Sequence, residues 1–137
     1  MSKKIVLSAF IMLFALCFTF GASAENLSQQ AGKYSPDKVY EIANQKHIPL
    51  VMVFYADWCS ESNAYLPVIN ELENTYGNKI IFLKINVESA DNRSFVEKYK
   101  KNKYLPETII YKRDFEKLVN FTGKKNKQEM INYINSL

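Results

Sequence analysis

Apolar residues along the chain fall into two patterns. Short continuous runs, such as "PLVMVFYA" (residues 49–56) and "KIIFLKINV" (79–87), have the length and the β-branched or aromatic content of buried strands. Between them, apolar positions recur every three or four residues. Ser35-Pro36-Asp37 opens such a segment, with Ser35 as N-cap, Pro36 at the first helical position, and Val39, Tyr40, Ile42 and Ala43 as the inner face before Pro49. A second helix is expected from Ser60 to Tyr76, with Leu66, Ile69, Leu72 and Tyr76 on one stripe, a bend at Pro67 and a stop at Gly77. A third, from about Asp91 to Lys101, would bury Phe95, Val96 and Tyr99. "ETIIYK" and "KLVNFTG" flank the polar turn "RDFE" at hairpin spacing, and Asn126 with Glu129 forms a capping box for a last helix ending near Ser136. Strands joined through helices run parallel and hairpin strands antiparallel. The pattern therefore predicts an α/β fold with a central mixed sheet of about four strands and helices on both faces.

The N-terminus departs from this pattern. Lys3 and Lys4 precede an apolar run from Ile5 to Phe20, and Ala22-Ser23-Ala24 follows, the layout of a secretory signal peptide cleaved after Ala24. The alternative is an uncleaved anchor, but about 16 apolar residues fall short of the roughly 20 that span a bilayer. Leu16 before Cys17 does not fit a lipoprotein signal. Residues 25–35 are polar and aperiodic and read as a flexible lead-in to one domain over 36–137. With 137 residues, 47 % of them apolar, the chain is sized for one modest core. Its formal charge of +4 falls to +2 once Lys3 and Lys4 leave, which points to no nucleic-acid partner, and no membrane insertion is expected after cleavage. The lysines of "EKYKKNK" and "GKKNKQ" are interspersed with acids and polar residues and read as a solvated face.

Cleavage would leave Cys59 as the single cysteine of an exported protein, with no internal disulfide open to it and either intermolecular pairing or reactivity as its role. It follows a buried strand and precedes a helix. That position aims free backbone N–H groups and the helix dipole at the sulfur and favours the thiolate, the nucleophilic form. Ser62, three residues on, has a hydroxyl able to stabilise the sulfur anion but unable to close a disulfide. One histidine, His47, and one cysteine do not make a metal site, and no cofactor is implied. Asn26-Leu27-Ser28, Asn92-Arg93-Ser94 and Asn120-Phe121-Thr122 are glycosylation sequons, relevant only in a eukaryotic host.

"ADWC", the Cys-x-x-x spacing, Pro67, "FLKINV", "YLPET" and Gly123 follow in the order found in thioredoxins, and over nearly all of the chain beyond Ala24 the sequence resembles that family. The resemblance implies the thioredoxin fold. It also implies that Cys59 is the attacking cysteine, Trp58 the active-site tryptophan and Pro106 a cis-proline facing the sulfur, with Leu105 lining the substrate groove. Two departures stand out. Ser62 replaces the resolving cysteine, and Val53 replaces the buried aspartate expected six residues before Cys59. Lys84 matches a family lysine and, without that carboxylate, is expected to snorkel outward. Ser60-Glu61 replaces the usual glycine-proline, and Glu61 adds both a charge beside the sulfur and an acid at the helix N-terminus.

These residues imply a secreted or periplasmic monothiol exchanger, isomerase or client trap. Cys59 and Ser62 would be catalytic, and Trp58, Leu105 and Pro106 would contact substrate. Its partners would be protein disulfides or glutathione adducts, with an external thiol as donor. A redox-inactive binding module or chaperone of the same fold, and a homodimer linked through Cys59, stand as alternatives. Trp58 and Tyr55 are also compatible with ordinary core or rim aromatics, Pro106 with a trans turn, and Cys59 with an inert buried thiol.

Overall fold

The computed structural model describes residues 25–137; the expected signal peptide, 1–24 with Cys17, lies outside them. The elements in order are α1 (Leu27–Ala31), α2 (Pro36–Gln45), β1 (Leu50–Tyr55), α3 (Ser60–Tyr76), β2 (Ile81–Asn86), α4 (Arg93–Tyr99), β3 (Glu107–Tyr111), β4 (Lys117–Thr122) and α5 (Lys127–Ile134). A 3-10 turn at Ala90–Asn92 leads into α4, so that helix starts two residues later than its apolar spacing predicts. Apart from α1, which the pattern did not predict, the remaining elements match the sequence pattern.

The sheet runs β2-β1-β3-β4, with β1 and β2 parallel and both the β1–β3 and β3–β4 pairs antiparallel. This is the four-stranded mixed sheet of a thioredoxin fold. Strand β1 is central, and Leu50 through Phe54 are fully buried. Their alternation divides the core. Leu50, Met52 and Phe54 face Val39 and Ala43 of α2 and Phe95 of α4, while Val51 and Val53 face Tyr65, Ile69 and Leu72 of α3 and Met130 and Ile134 of α5. On α3 the buried stripe is Ser62, Tyr65, Ile69, Leu72 and Glu73, with the expected Leu66 only half-buried. The helix runs through Pro67 without interruption. In the hairpin turn Phe115 has φ 61° and lays its ring on Tyr111, 5.0 Å between centroids, so "RDFE" is less polar in place than in sequence.

The segment read as a flexible lead-in carries helix α1. Asn26 caps it, accepting from Gln29 N–H at 2.8 Å while Gln29 Oε1 accepts from Asn26 N–H at 3.4 Å. The same asparagine donates Nδ2 to the Glu73 carbonyl at 2.8 Å, and Ser28 N–H donates to the Gly77 carbonyl at 2.8 Å. A side chain at Gly77 would collide with Asn26 and with the Glu73 carbonyl. Its φ of −64° is ordinary for any residue, so the close approach of the N-terminal segment is what requires glycine there. Asn26, the first sequon asparagine, is buried with its amide engaged.

This docking builds a buried polar cluster. Ser28 Oγ donates to Glu73 Oε1 and accepts from Phe82 N–H, both at 2.7 Å, and Glu73 Oε2 lies 2.5 Å from Lys84 Nζ. Lys84, expected to snorkel outward alone, instead has a carboxylate partner, supplied by α3 rather than by β1. It also donates to Asn70 Oδ1 at 3.0 Å.

Removing a hydroxyl that serves a buried carboxylate and a buried N–H leaves both short of a partner, at about 1–3 kcal/mol. Ser28→Ala should therefore lower the urea midpoint of unfolding at unchanged m-value. An unchanged midpoint would mean that the docked segment contributes no stability.

Candidate active site

The chain leaves the buried end of β1 at Tyr55 and turns through Ala56–Cys59, closed by Cys59 N–H donating to the Ala56 carbonyl at 3.1 Å. Two side chains pin the turn from outside. Asn63 Nδ2 donates to the Asp57 carbonyl at 2.8 Å, and Asn86 Nδ2 to Asp57 Oδ2 at 3.2 Å. Trp58 is thereby held outward, 70 % exposed, which is not the setting of a core aromatic.

Cys59 is the N-cap of α3, half-buried, with its carbonyl accepting from Asn63 N–H at 3.0 Å. Its thiol points to the Leu105 carbonyl at 3.7 Å. The Leu105–Pro106 bond is cis, and Pro106 is buried with its carbonyl accepting from Gly123 N–H at 2.8 Å. Gly123 has φ +86°, a left-handed conformation that side chains disfavour.

Ser62 is fully buried one turn into α3, and its Oγ has no hydrogen-bond partner among the described residues. Such a group is costly unless another state satisfies it. An ionised Cys59 would offer it an acceptor. The Ser62 hydroxyl is the largest cause holding the Cys59 thiol below its ordinary pKa, followed by the Ser62 backbone N–H. Partial burial opposes them. Glu61 acts both ways: its backbone N–H favours the thiolate more than its carboxylate disfavours it. With the thiol protonated, the proton goes toward Leu105 and Ser62 is left unserved; with the thiol ionised, Ser62 donates to the sulfur.

The five residues singled out from the sequence thus converge. Cys59 meets Leu105 and Ser62, Pro106 adjoins Leu105, and Trp58, Cys59 and Leu105 line one groove. Val53 lies in the apolar core under α3, and Tyr55 is half-buried at the strand end. His47 is exposed in the turn after α2. Two features were not anticipated. Val87, Val96 and Tyr104 extend the groove away from the sulfur, and Glu107, one residue after Pro106, is a fully buried carboxylate.

A family model described as Thioredoxin matches residues 33–136. The chain is 29 % identical over 130 residues to protein disulfide-isomerase 1 of Dictyostelium discoideum, covering 93 % of this chain and 34 % of that protein. It is 27 % identical over 113 residues to the thiol:disulfide interchange protein TxlA of Synechococcus elongatus, covering 82 % of this chain and 50 % of that one. This chain thus spans half or less of these relatives. Among solved structures, one titled "Structural insights into thioredoxin-2: a component of malaria parasite protein secretion machinery" superposes with a TM-score of 0.58 at 24 % identity, covering 66 % of this chain and 84 % of that one.

The lowered thiol pKa sets a pH test. The rate of Cys59 alkylation should rise to its plateau with a midpoint below the ordinary thiol value of about 8.5. Ser62→Ala removes the largest favourable interaction, so its midpoint should move up. Identical midpoints in the two proteins would remove Ser62 from the site.

Proposed function

This chain belongs to the thioredoxin family, and from that premise we propose that it exchanges disulfides with protein clients through Cys59 acting alone. The observation that carries the reading is the buried, unpartnered Ser62 hydroxyl beside a cysteine at a helix N-terminus. This arrangement stabilises a sulfur anion but offers no second sulfur. Relatives named as a disulfide-isomerase and a thiol:disulfide interchange protein support the same chemistry.

In the first step the Cys59 thiolate attacks one sulfur of a client disulfide, or of a client–glutathione adduct. A new S–S bond forms to Cys59, the old one breaks, and the leaving thiolate takes its proton from solvent. In the second step an external thiolate attacks the mixed disulfide. It either transfers to the client sulfur, regenerating Cys59, or it belongs to the client itself, in which case the outcome is isomerisation with no net oxidation. Leu105, before the cis bond to Pro106, presents backbone to an extended client segment, and Trp58 lines the same groove as the sulfur. The basic N-terminus, the apolar run Ile5–Phe20 and the small residues at 22–24 support export of the chain to an oxidising compartment, periplasmic or extracellular.

The exposure of Trp58 and Tyr104 beside the cysteine favours a second reading, a binding module that holds a partner without exchange. Two variants separate the readings. Ser62→Cys places a second sulfur three residues on from Cys59, on the same face of the first turn of α3. On oxidation both thiols should be lost to an internal bridge, and turnover of a protein disulfide should rise. In quenched cell extracts the natural protein should run partly as higher-mass species that collapse with reductant, and Cys59→Ala should abolish them. Full biological activity in Cys59→Ala, with no adducts in the natural protein, would leave the binding module standing.

A further inference from the structure

Beyond the sulfur, the groove of about 510 Å³ has a wall that the exchange reaction by itself does not require. Val87, Leu105 and the exposed side chains of Trp58 and Tyr104 make its surface apolar, and the charged side chains lining it are Lys100 and Lys103. These two lysines are not equivalent. Lys100 is largely buried and lies 3.4 Å from Glu107 Oε2, so its charge is matched internally. Lys103 is exposed, with its ammonium 5.1 Å from the Tyr104 ring centroid, and it faces solvent at the rim.

Glu107 holds this wall in place. Its carboxylate accepts from Lys101 N–H at 3.1 and 3.2 Å, from Asn102 N–H at 3.3 and 3.2 Å, and from Asn102 Nδ2 at 3.1 Å. Lys100 Nζ in turn donates to the Tyr104 carbonyl at 3.3 Å. A loop without regular structure between α4 and β3 is thereby tied to the residue that follows Pro106, and Tyr104 and Lys103 are fixed beside the cysteine.

We infer that this groove selects client segments in which an apolar side chain stands beside a carboxylate, the apolar group entering the groove and the carboxylate meeting Lys103, with Glu107 as the positioning residue of the wall. The inference rests on Cys59 being the exchange thiol. Charge complementarity argues for it. Matching of Lys100 by Glu107 leaves Lys103 as the uncompensated charge of the lining.

The test uses two disulfide-linked peptides, alike except for Asp or Lys after an apolar residue next to the half-cystine, and bis(2-hydroxyethyl) disulfide as a small neutral control. The rate constant for each peptide is expressed relative to the control. The Asp peptide should react faster than the Lys peptide, attraction and repulsion each contributing about fivefold at close contact in water. The gap should close in 0.5 M salt, where screening shortens to a few ångströms. Lys103→Glu should reverse the order of the peptides. Glu107→Ala should lower both peptide ratios, with Glu107→Gln recovering part of the loss, a split that a general loss of stability would not produce. Equal peptide rates at low salt, or an order unmoved by Lys103→Glu, overturn the inference while exchange itself stands. If Cys59 does not react even with the neutral disulfide, the exchange reading fails and the groove inference falls with it.

Discussion

Complete burial of β1 is the constraint on which the rest of this structure depends. Leu50 through Phe54 have no exposed surface, with strands on both edges and helices on each face. A strand so enclosed must be apolar on both sides, and it delivers the next residues to one end of the sheet with little freedom. Cys59 stands four residues past its end, on a turn closed by its own N–H. The sulfur meets Leu105 because β3 lies beside β1 in antiparallel register, Phe54 opposite Glu107, so the residues entering β3 arrive next to those leaving β1. Helix α3 is held by the same core through Tyr65, Ile69 and Leu72, and its first turn is thereby aimed at the sulfur.

The charges of the fold were displaced to its margins by the same constraint. Valine at position 53 keeps β1 apolar, and the carboxylates that are buried sit elsewhere: Glu73 under the N-terminal segment with Lys84, and Glu107 at the start of β3 with Lys100. Every oxygen of both carboxylates has at least one donor, as a buried carboxylate requires. Breaking such a pair by removing one partner costs about 3–5 kcal/mol, although the intact pair contributes little over an apolar replacement. Their value therefore lies in fixing position. Glu73 locks α1 to α3 and β2, and Glu107 locks the loop before Pro106 to the strand after it.

What was legible in the sequence follows from which interactions are local. The apolar run of β1, the Ser35-Pro36 start of α2, the capping box at Asn126 and the strand-to-helix placement of Cys59 each report on neighbours within a few residues, and each is where the pattern placed it. Helix α1 was missed although it carries a local signal of its own, the Asn26–Gln29 capping pair. Five residues with few apolar positions show no period, and the partners that hold them, Glu73, Gly77 and Phe82, are distant in sequence. Glu73 and Glu107 were missed for the same reason. An acid in a helix or at the start of a strand reads as exposed until the lysine and backbone donors that enclose it are known.

Serine in place of a second cysteine changes the proposed chemistry in kind, because one interaction acts on two opposed rates. Stabilising the Cys59 thiolate raises the fraction of sulfur ready to attack, yet a more stable thiolate is a weaker nucleophile, so the gain in attack is partial. The same stabilisation makes Cys59 a better leaving group when an outside thiolate attacks the client sulfur of the mixed disulfide, and that step is faster for it. With an internal cysteine that second step is intramolecular, at the high effective concentration of a bonded neighbour. With Ser62 it is bimolecular, and its rate follows the supply of reduced thiols around the protein. Under this reading the lifetime of the adduct belongs to the compartment, while the choice of client belongs to the groove that Glu107 holds open beside the sulfur.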